Sequence, residues 1–232
     1  MTKHVPNFIT LLNLLSGFAA TVLASKGYNE YAALLIIAGG LFDFCDGFAA
    51  RLLKSYSDIG KELDSLADVV TFGIAPGAII LNLLTGAGMA IAPSFVLASL
   101  IPAASALRLA KFNNDATQST SFRGLATPAS AFTVIAFVIA SGYGNCSVCD
   151  TLVKSPLFIG SLSVFLAVMM LVNTRMFSLK FTHLRWAGNE ERYLLAGISL
   201  LLLVVFRLAS PPLIMAAYIL ISLVFTVFRS RQ

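Results

Sequence analysis

The sequence predicts an all-α fold: a polytopic membrane helical bundle with about eight transmembrane helices. Three observations predict it. Of 232 residues, 58% are hydrophobic and 12% charged, an apolar share above the roughly 45–50% of an ordinary soluble domain. The apolar residues gather into separate stretches, most near the ~20 residues that cross a hydrocarbon core, which leaves little chain for an extramembrane domain. Lys and Arg sit in the short segments between these stretches. Residues 1–232 therefore read as one membrane domain.

The expected spans are 8–25, 31–52, 62–83, 91–111, 125–143, 156–174, 191–207 and 212–229. The first follows Lys3 and mimics a signal peptide, but Asn7 and Asn13 interrupt it and further spans follow at once, so it reads as a retained helix. Only about ten residues separate the second span from the third, which makes them expected antiparallel neighbours. Gly86 and Gly88 mark the loop before the fourth span, and residues 142–150 form a bland loop before the sixth. Ser210, Pro211 and Pro212 must supply a tight turn into the eighth. No internal repeat is evident, so nothing supports an inverted-repeat transporter.

With both termini on the cytoplasmic side, all of the 16 Lys and Arg except Lys26, Lys154 and Arg207 fall on that side or at its boundary. An even helix count and the positive-inside rule thus agree. The net charge of +5 does not point to nucleic acid, because the cations form no strip interleaved with aromatics. Three cysteines, Cys45, Cys146 and Cys149, are too few for a disulfide scaffold. The Cys146/Cys149 pair is a lone CxxC, open to ligating a metal or closing a loop disulfide. Without a second ligand pair it reads as structural or incidental.

The acidic residues are unevenly placed. Of 11, six lie between positions 43 and 68: Asp43, Asp46, Asp58, Glu62, Asp64 and Asp68. An Asp near the centre of a membrane helix costs about 2.5–3.5 kcal/mol on insertion scales, so several together demand compensation. On the second helix Asp43, Asp46, Gly47 and Ala50 fall within about 100° of arc. On the third, Gly60, Asp64 and Asp68 recur at i, i+4 and i+8, although Gly60 is placed near the turn. Four converging carboxylates repel one another unless divalent cations neutralise them. An all-oxygen donor set suits Mg²⁺ or Mn²⁺ rather than zinc.

A hard cation calls for an oxyanion substrate, and pyrophosphate is the natural one because the metal stabilises charge on a leaving phosphate. Gly47, Ala50 and Gly60 would let a nucleotide approach the backbone closely. Asp43 precedes Arg51 by eight residues, about 12 Å along a helix at 1.5 Å per residue, so the site lies below the surface with Arg51 and Lys54 at its rim. Intramembrane carboxylates also serve ion channels, proton relays and transporters, and that alternative stays open.

Read as a string, Asp43-x2-Asp46-Gly47-x2-Ala50-Arg51-x8-Gly60-x3-Asp64-x3-Asp68 resembles the full signature of the CDP-alcohol phosphatidyltransferases. The resemblance implies transfer of a phosphatidyl group from CDP-diacylglycerol to a hydroxyl acceptor with release of CMP. It implies a homodimer with a six-helix membrane core, here about 6–175, so the helices at about 190–229 form an extension like that of larger serine-using members. It assigns Asp43, Asp46, Asp64 and Asp68 to two divalent ions, Asp68 also acting as the base. Asp46, Gly47, Ala50, Arg51 and Gly60 go to the nucleotide. Pro6-Asn7-x2-Thr10 resembles the family's start of the first helix, with Asn7 and Thr10 near the nucleotide phosphates; its plain reading is an ordinary helix start.

Two further segments bear on the acceptor. Residues 108–113, Arg-Leu-Ala-Lys-Phe-Asn, and 122–129, Phe-Arg-Gly-Leu-Ala-Thr-Pro-Ala, resemble segments of phosphatidylserine synthases, departing at Lys111 and at Ala126-Thr127-Pro128. They imply L-serine as acceptor, its carboxylate met by Arg108, Lys111 or Arg123 and its ammonium or hydroxyl by Asn113. As plain residues these cations are positive-inside anchors and Asn113 a turn residue. Glycerol 3-phosphate or inositol phosphate remain alternative acceptors. Arg175, His183, Arg185, Trp186, Glu190, Glu191 and Arg192 read as an interfacial anchor. The expected location is the bacterial inner membrane, with the site facing the cytoplasm.

Overall fold

The structure, a computed structural model, describes residues 4–55, 57–114, 122–177, 186 and 189–229. Lys3, Lys180, His183, Arg185 and Arg231 lie outside them, as do the side chains of Arg123, Arg175 and Arg229. The described chain is helical apart from one two-residue bridge: α1 (Val5–Ser25), α2 (Asn29–Leu52), α3 (Asp58–Asp68), a π-helical turn (Val69–Ile74), α4 (Ala75–Gly86), α5 (Ile91–Asn114), α6 (Thr127–Tyr143), α7 (Ser147–Val153), α8 (Pro156–Leu171), α9 (Glu190–Phe206) and α10 (Pro211–Arg229). Five continuous helical segments are long and apolar enough to cross a membrane, and six if α7 and α8 are one bent span. Helix α6 and the apolar part of α10, Pro211–Thr226, are shorter.

Helix α1 buries Thr10, Asn13, Gly17, Ala20 and Ala24, a stripe of alternating three- and four-residue steps that forms one helix face. Its opposite side carries exposed Phe8, Leu15 and Phe18. Small and polar residues inside with large apolar residues outside is the arrangement expected where lipid tails, not water, surround the bundle. Helix α2 answers with Ala32, Ala33, Ile36 and Gly39, and the α1–α2 seam is the most extensive in the molecule.

The third span departs from expectation. It starts at Asp58 rather than residue 62, because the Oγ of Ser57 accepts the N–H of Gly60 at 3.0 Å and caps the helix there. Gly60 is therefore in the first turn of α3, not in a loop. The span then loosens into the π turn. Pro76 has no N–H, and its ring excludes the carbonyl four residues back from α geometry, which accounts for the wider hydrogen bonding just before it.

The second and third spans are neighbours as expected, but the contact is not along their whole length. Helix α1 lies along α2 and contacts α3, the π turn and α4, whereas α2 meets the third span chiefly at the π turn and α4. The crossing is possible because Gly17 and Gly39 lack side chains: a Cβ at either would collide with Thr71 of the π turn. Away from it, the α2 and α3 backbones part and the two helices meet through their side chains.

Two more features concern the connections, where the loop disulfide left open for Cys146 and Cys149 is present and a short helix and a strand pair were not foreseen. Residues 142–150 are not a bland loop, since α7 begins at Ser147 and meets α8 at an 80° bend, and Cys146 and Cys149 form a disulfide at its start. Strand β1 (Phe122–Arg123) pairs antiparallel with β2 (Arg175–Met176). The bridge continues through Gly124, whose N–H donates to the Thr174 carbonyl at 2.8 Å. Gly124 has φ +75°, and a Cβ would stand 2.5 Å from the Met170 carbonyl, so only glycine fits. This staple ties the start of α6 to the end of α8. Phe72, Ile79, Ile80, Ile101, Leu125, Ile135 and Leu166 fill the core around it. Helix α10 returns against α6 and β2.

Candidate active site

Helices α2 and α3 bring their carboxylates to the upper wall of the parting. One oxygen from each of Asp43, Asp64 and Asp68 lies within 4.8 Å of the other two. Asp68 is buried and feels the charges of Asp43, Asp64 and Asp46. Asp46 stands to one side of the trio, also buried, with the Thr10 hydroxyl beside it and the charge of Asp64 acting on it. Its Oδ2 has no hydrogen-bond partner among the described residues. Like charges this close, one with a buried orphan oxygen, are relieved either by a retained proton or by a shared cation. The donor set is entirely oxygen, and the free cysteine, Cys45, is exposed. These residues fit hard divalent ions.

Beside the carboxylates opens a cleft of about 340 Å³ lined by Pro6, Asn7, Thr10, Asp46, Gly47, Ala50, Arg51, Ser55, Ser57, Gly60, Lys61 and Asp64. Asn7, Thr10, Asp46, Gly47, Ala50, Arg51 and Gly60, the residues the motif suggested for a nucleotide, all line it. The two glycines play different parts. Around Gly47 there is nothing within 4 Å of where a Cβ would stand, so it faces open space. At Gly60 a Cβ would lie 3.0 Å from Ser57 Oγ and 3.1 Å from Asn7 Oδ1, so it lets α1 and α3 close the cleft's end. Arg51 folds back along its helix, its Nε donating to the Gly47 carbonyl at 2.9 Å.

The residues suggested for the acceptor separate. Arg108 is buried at 8% exposure, and its Nη1 donates to Thr127 Oγ1 at 3.3 Å. Its Nε is buried without a partner among the described residues, and the charge of Asp68 acts on it. Lys111 is exposed on the last turns of α5. Asn113 donates from Nδ2 to Ser65 Oγ at 2.8 Å, while its carbonyl accepts from Lys61 Nζ at 3.1 Å, so it laces α5 to α3. The Arg123 side chain lies outside the described residues. In the interfacial segment, Trp186 stacks on Tyr193 with ring centroids 5.3 Å apart.

The sequence reading missed Asn13. It is fully buried and donates from Nδ2 to Asp68 Oδ1 at 3.4 Å, while its own carbonyl accepts from Thr71 Oγ1 at 2.9 Å. A signal was present: Asn7, Thr10 and Asn13 recur every three residues on an apolar helix, and polar residues so placed face the bundle interior. Ser57 and Lys61 were missed as cleft residues because both look like ordinary loop polarity in the sequence.

Residues 3–172 match the family model described as CDP-alcohol phosphatidyltransferase. Among curated proteins, the chain is 37% identical over 131 residues to a CDP-diacylglycerol--serine O-phosphatidyltransferase of Bacillus subtilis, which covers 54% of this chain and 70% of that protein. It is 32% identical over 230 residues to one of Helicobacter pylori, covering 96% of this chain and 91% of that protein. A third, of Saccharomyces cerevisiae, is 37% identical over 158 residues, and there the match spans only 54% of the relative's length. The family match ends at residue 172, just past α8, so α9 and α10 lie beyond it. Every aspartate of the cluster and every residue of the cleft falls within the matched segment, and the chain belongs to the CDP-alcohol phosphatidyltransferase family.

Proposed function

We propose that this protein transfers the phosphatidyl group of CDP-diacylglycerol to the hydroxyl of L-serine, forming phosphatidylserine and CMP. The carrying observation is that the seven residues suggested for the nucleotide line one cleft whose wall adjoins the Asp43, Asp64 and Asp68 cluster. Asp43, Asp46, Asp64 and Asp68 would hold two divalent ions, Mg²⁺ or Mn²⁺, which when bound supply charge neutralisation for the pyrophosphate and the leaving CMP. Serine as acceptor draws support from the curated relatives, which carry that activity in their names.

In this reading the lipid enters sideways where α2 and α3 part, and the cytidine end rests against Gly47, Ala50 and the first turns of α1. Asp68 accepts the proton of the serine hydroxyl. The hydroxyl oxygen bonds to the phosphorus that carries diacylglycerol, and the bond from that phosphorus to the bridging oxygen breaks, so CMP leaves with that oxygen. Arg51 at the rim faces the departing nucleotide. Arg108, buried with an unpartnered Nε, meets the serine carboxylate; Lys111, Arg123 and Asn113 are secondary candidates. All eight apolar helical segments cross the membrane, the site opens to the cytoplasm, and two copies associate in the bacterial inner membrane.

The test is CMP release from CDP-diacylglycerol with serine, glycerol 3-phosphate and inositol phosphate supplied in turn. Serine alone should support release, and only with divalent metal. Release with another alcohol and not serine would reassign the acceptor. Ion flux in proteoliposomes without any CMP would instead indicate a carboxylate-lined transporter.

A further inference from the structure

Lys61 is a cleft residue that the aspartate motif leaves unassigned. It stands in the first turn of α3, three residues before Asp64, and both line the cleft. Residues three apart share a helix face, so Lys61 rises from the carboxylate wall about 4.5 Å nearer the helix start at 1.5 Å per residue. Its Nζ donates to the main-chain carbonyl of Asn113 at 3.1 Å. Asn113 belongs to the last turn of α5, where carbonyls lack a partner further along the helix and the negative end of the helix dipole favours a cation. A second link runs beside the first: Asn113 Nδ2 donates to Ser65 Oγ at 2.8 Å, and that hydroxyl donates to the Lys61 carbonyl at 3.2 Å. Helices α3 and α5 have little direct backbone packing, so these side chains span the gap between them.

Four charged side chains line the cleft: Asp46, Asp64, Arg51 and Lys61. In the proposed reading the two carboxylates belong to the divalent ions, which leaves the two cations for the ligand. They come from different walls, Arg51 from the last turn of α2 and Lys61 from the first turn of α3. Arg51 has its Nε engaged by the Gly47 carbonyl. An ammonium has three N–H donors, and the Asn113 carbonyl takes one of them. We infer that Lys61 is a phosphate-binding residue of the cleft: held by the end of α5, it meets the phosphate that departs with cytidine. This rests on the nucleotide reading of the cleft and not on the identity of the acceptor. Lysine suits the task as a compact point charge on a flexible stem. Helix α5, which carries Arg108, thereby steadies a cation on the nucleotide side as well.

The experiment uses the full chain in detergent with Mg²⁺ and compares wild type, Lys61→Met and Lys61→Gln. Isothermal titration gives the dissociation constant of CMP, and displacement of labelled CMP gives that of cytidine, which has no phosphate. Met removes both the charge and the donor, whereas Gln removes the charge but keeps an N–H for the Asn113 carbonyl. Losing one charge-assisted contact should weaken CMP roughly tenfold in both variants and leave cytidine within about twofold. Equal weakening of CMP and cytidine would mean a distorted cleft and overturns the phosphate role. So does wild-type CMP affinity in Lys61→Gln, which would show that Lys61 only caps α5. If Lys61→Met accumulates poorly, Lys61→Gln decides alone by the same two ligands. Wild-type protein that binds no CMP would overturn the nucleotide reading itself, a separate result.

Discussion

The side-chain amide of Asn13 donates to Oδ1 of Asp68 at 3.4 Å, across 55 residues of chain. That contact joins the first helix to the carboxylate proposed as the base. Because the same residue's backbone carbonyl accepts from Thr71, Asn13 sets the position of Asp68 relative to the π turn that follows it.

Asn13→Ala should lower kcat about 10- to 100-fold, the usual cost of removing a partner that orients a liganding carboxylate, with little change in the lipid KM. Asn13→Asp should be worse, since it adds another negative charge to a cluster already self-repelling. Steady-state kinetics in detergent checks both, and an Ala variant at full turnover would remove Asn13 from this role.

Asp68→Asn should bind CDP-diacylglycerol with near-native affinity yet lose roughly 10²- to 10⁴-fold in turnover, the range for removing a general base. A binding assay run beside CMP release separates the two effects. Retained turnover would show that some other group takes the proton.

Chelation with EDTA should abolish CMP release, and Mg²⁺ or Mn²⁺ should restore it while Zn²⁺ should not, given the all-oxygen donors. Bound Mn²⁺ followed by electron paramagnetic resonance should fall sharply in the Asp43→Asn and Asp64→Asn variants. Undiminished Mn²⁺ binding in both would place the metal elsewhere.

The glycines should divide by role. At Gly17 a Cβ would lie 2.6 Å from the Thr71 Cα and 2.8 Å from its backbone nitrogen, atoms that cannot swing aside. Gly17→Ala should therefore destabilise the bundle by about 1–3 kcal/mol, as overpacking does. Gly47→Ala meets no atom within 4 Å and should leave the thermal midpoint unchanged while narrowing the cleft. Its signature is a raised KM for CDP-diacylglycerol, and a larger side chain such as Val should raise it further. Equal melting of Gly17→Ala and wild type would contradict the crossing geometry.

Gly60→Val should act differently from both. A bulkier side chain there presses on Ser57 Oγ and Asn7 Oδ1, the cap of α3 and the first turn of α1, so it should weaken nucleotide binding and loosen the helix start together. A differential scanning measurement paired with the lipid KM reads the two effects, and a variant that changes neither would sink the close-approach argument.

The sequence alone was enough to establish the membrane-spanning, helical character and the carboxylate stripes. Both depend on local periodicity, since residues three and four apart share a helix face whatever packs against them. That is why Asp43 with Asp46, and Gly60 with Asp64 and Asp68, could be grouped by their spacing along the chain. Tertiary structure decided what stands across from those faces. It packed α1 along α2 and against α3 and turned Asn13 toward Asp68. It also buried Arg108 against Thr127 while leaving Lys111 outside. Such pairings come from helices crossing at particular small residues. A crossing point depends on which two surfaces interlock, and neither surface's own spacing records its partner.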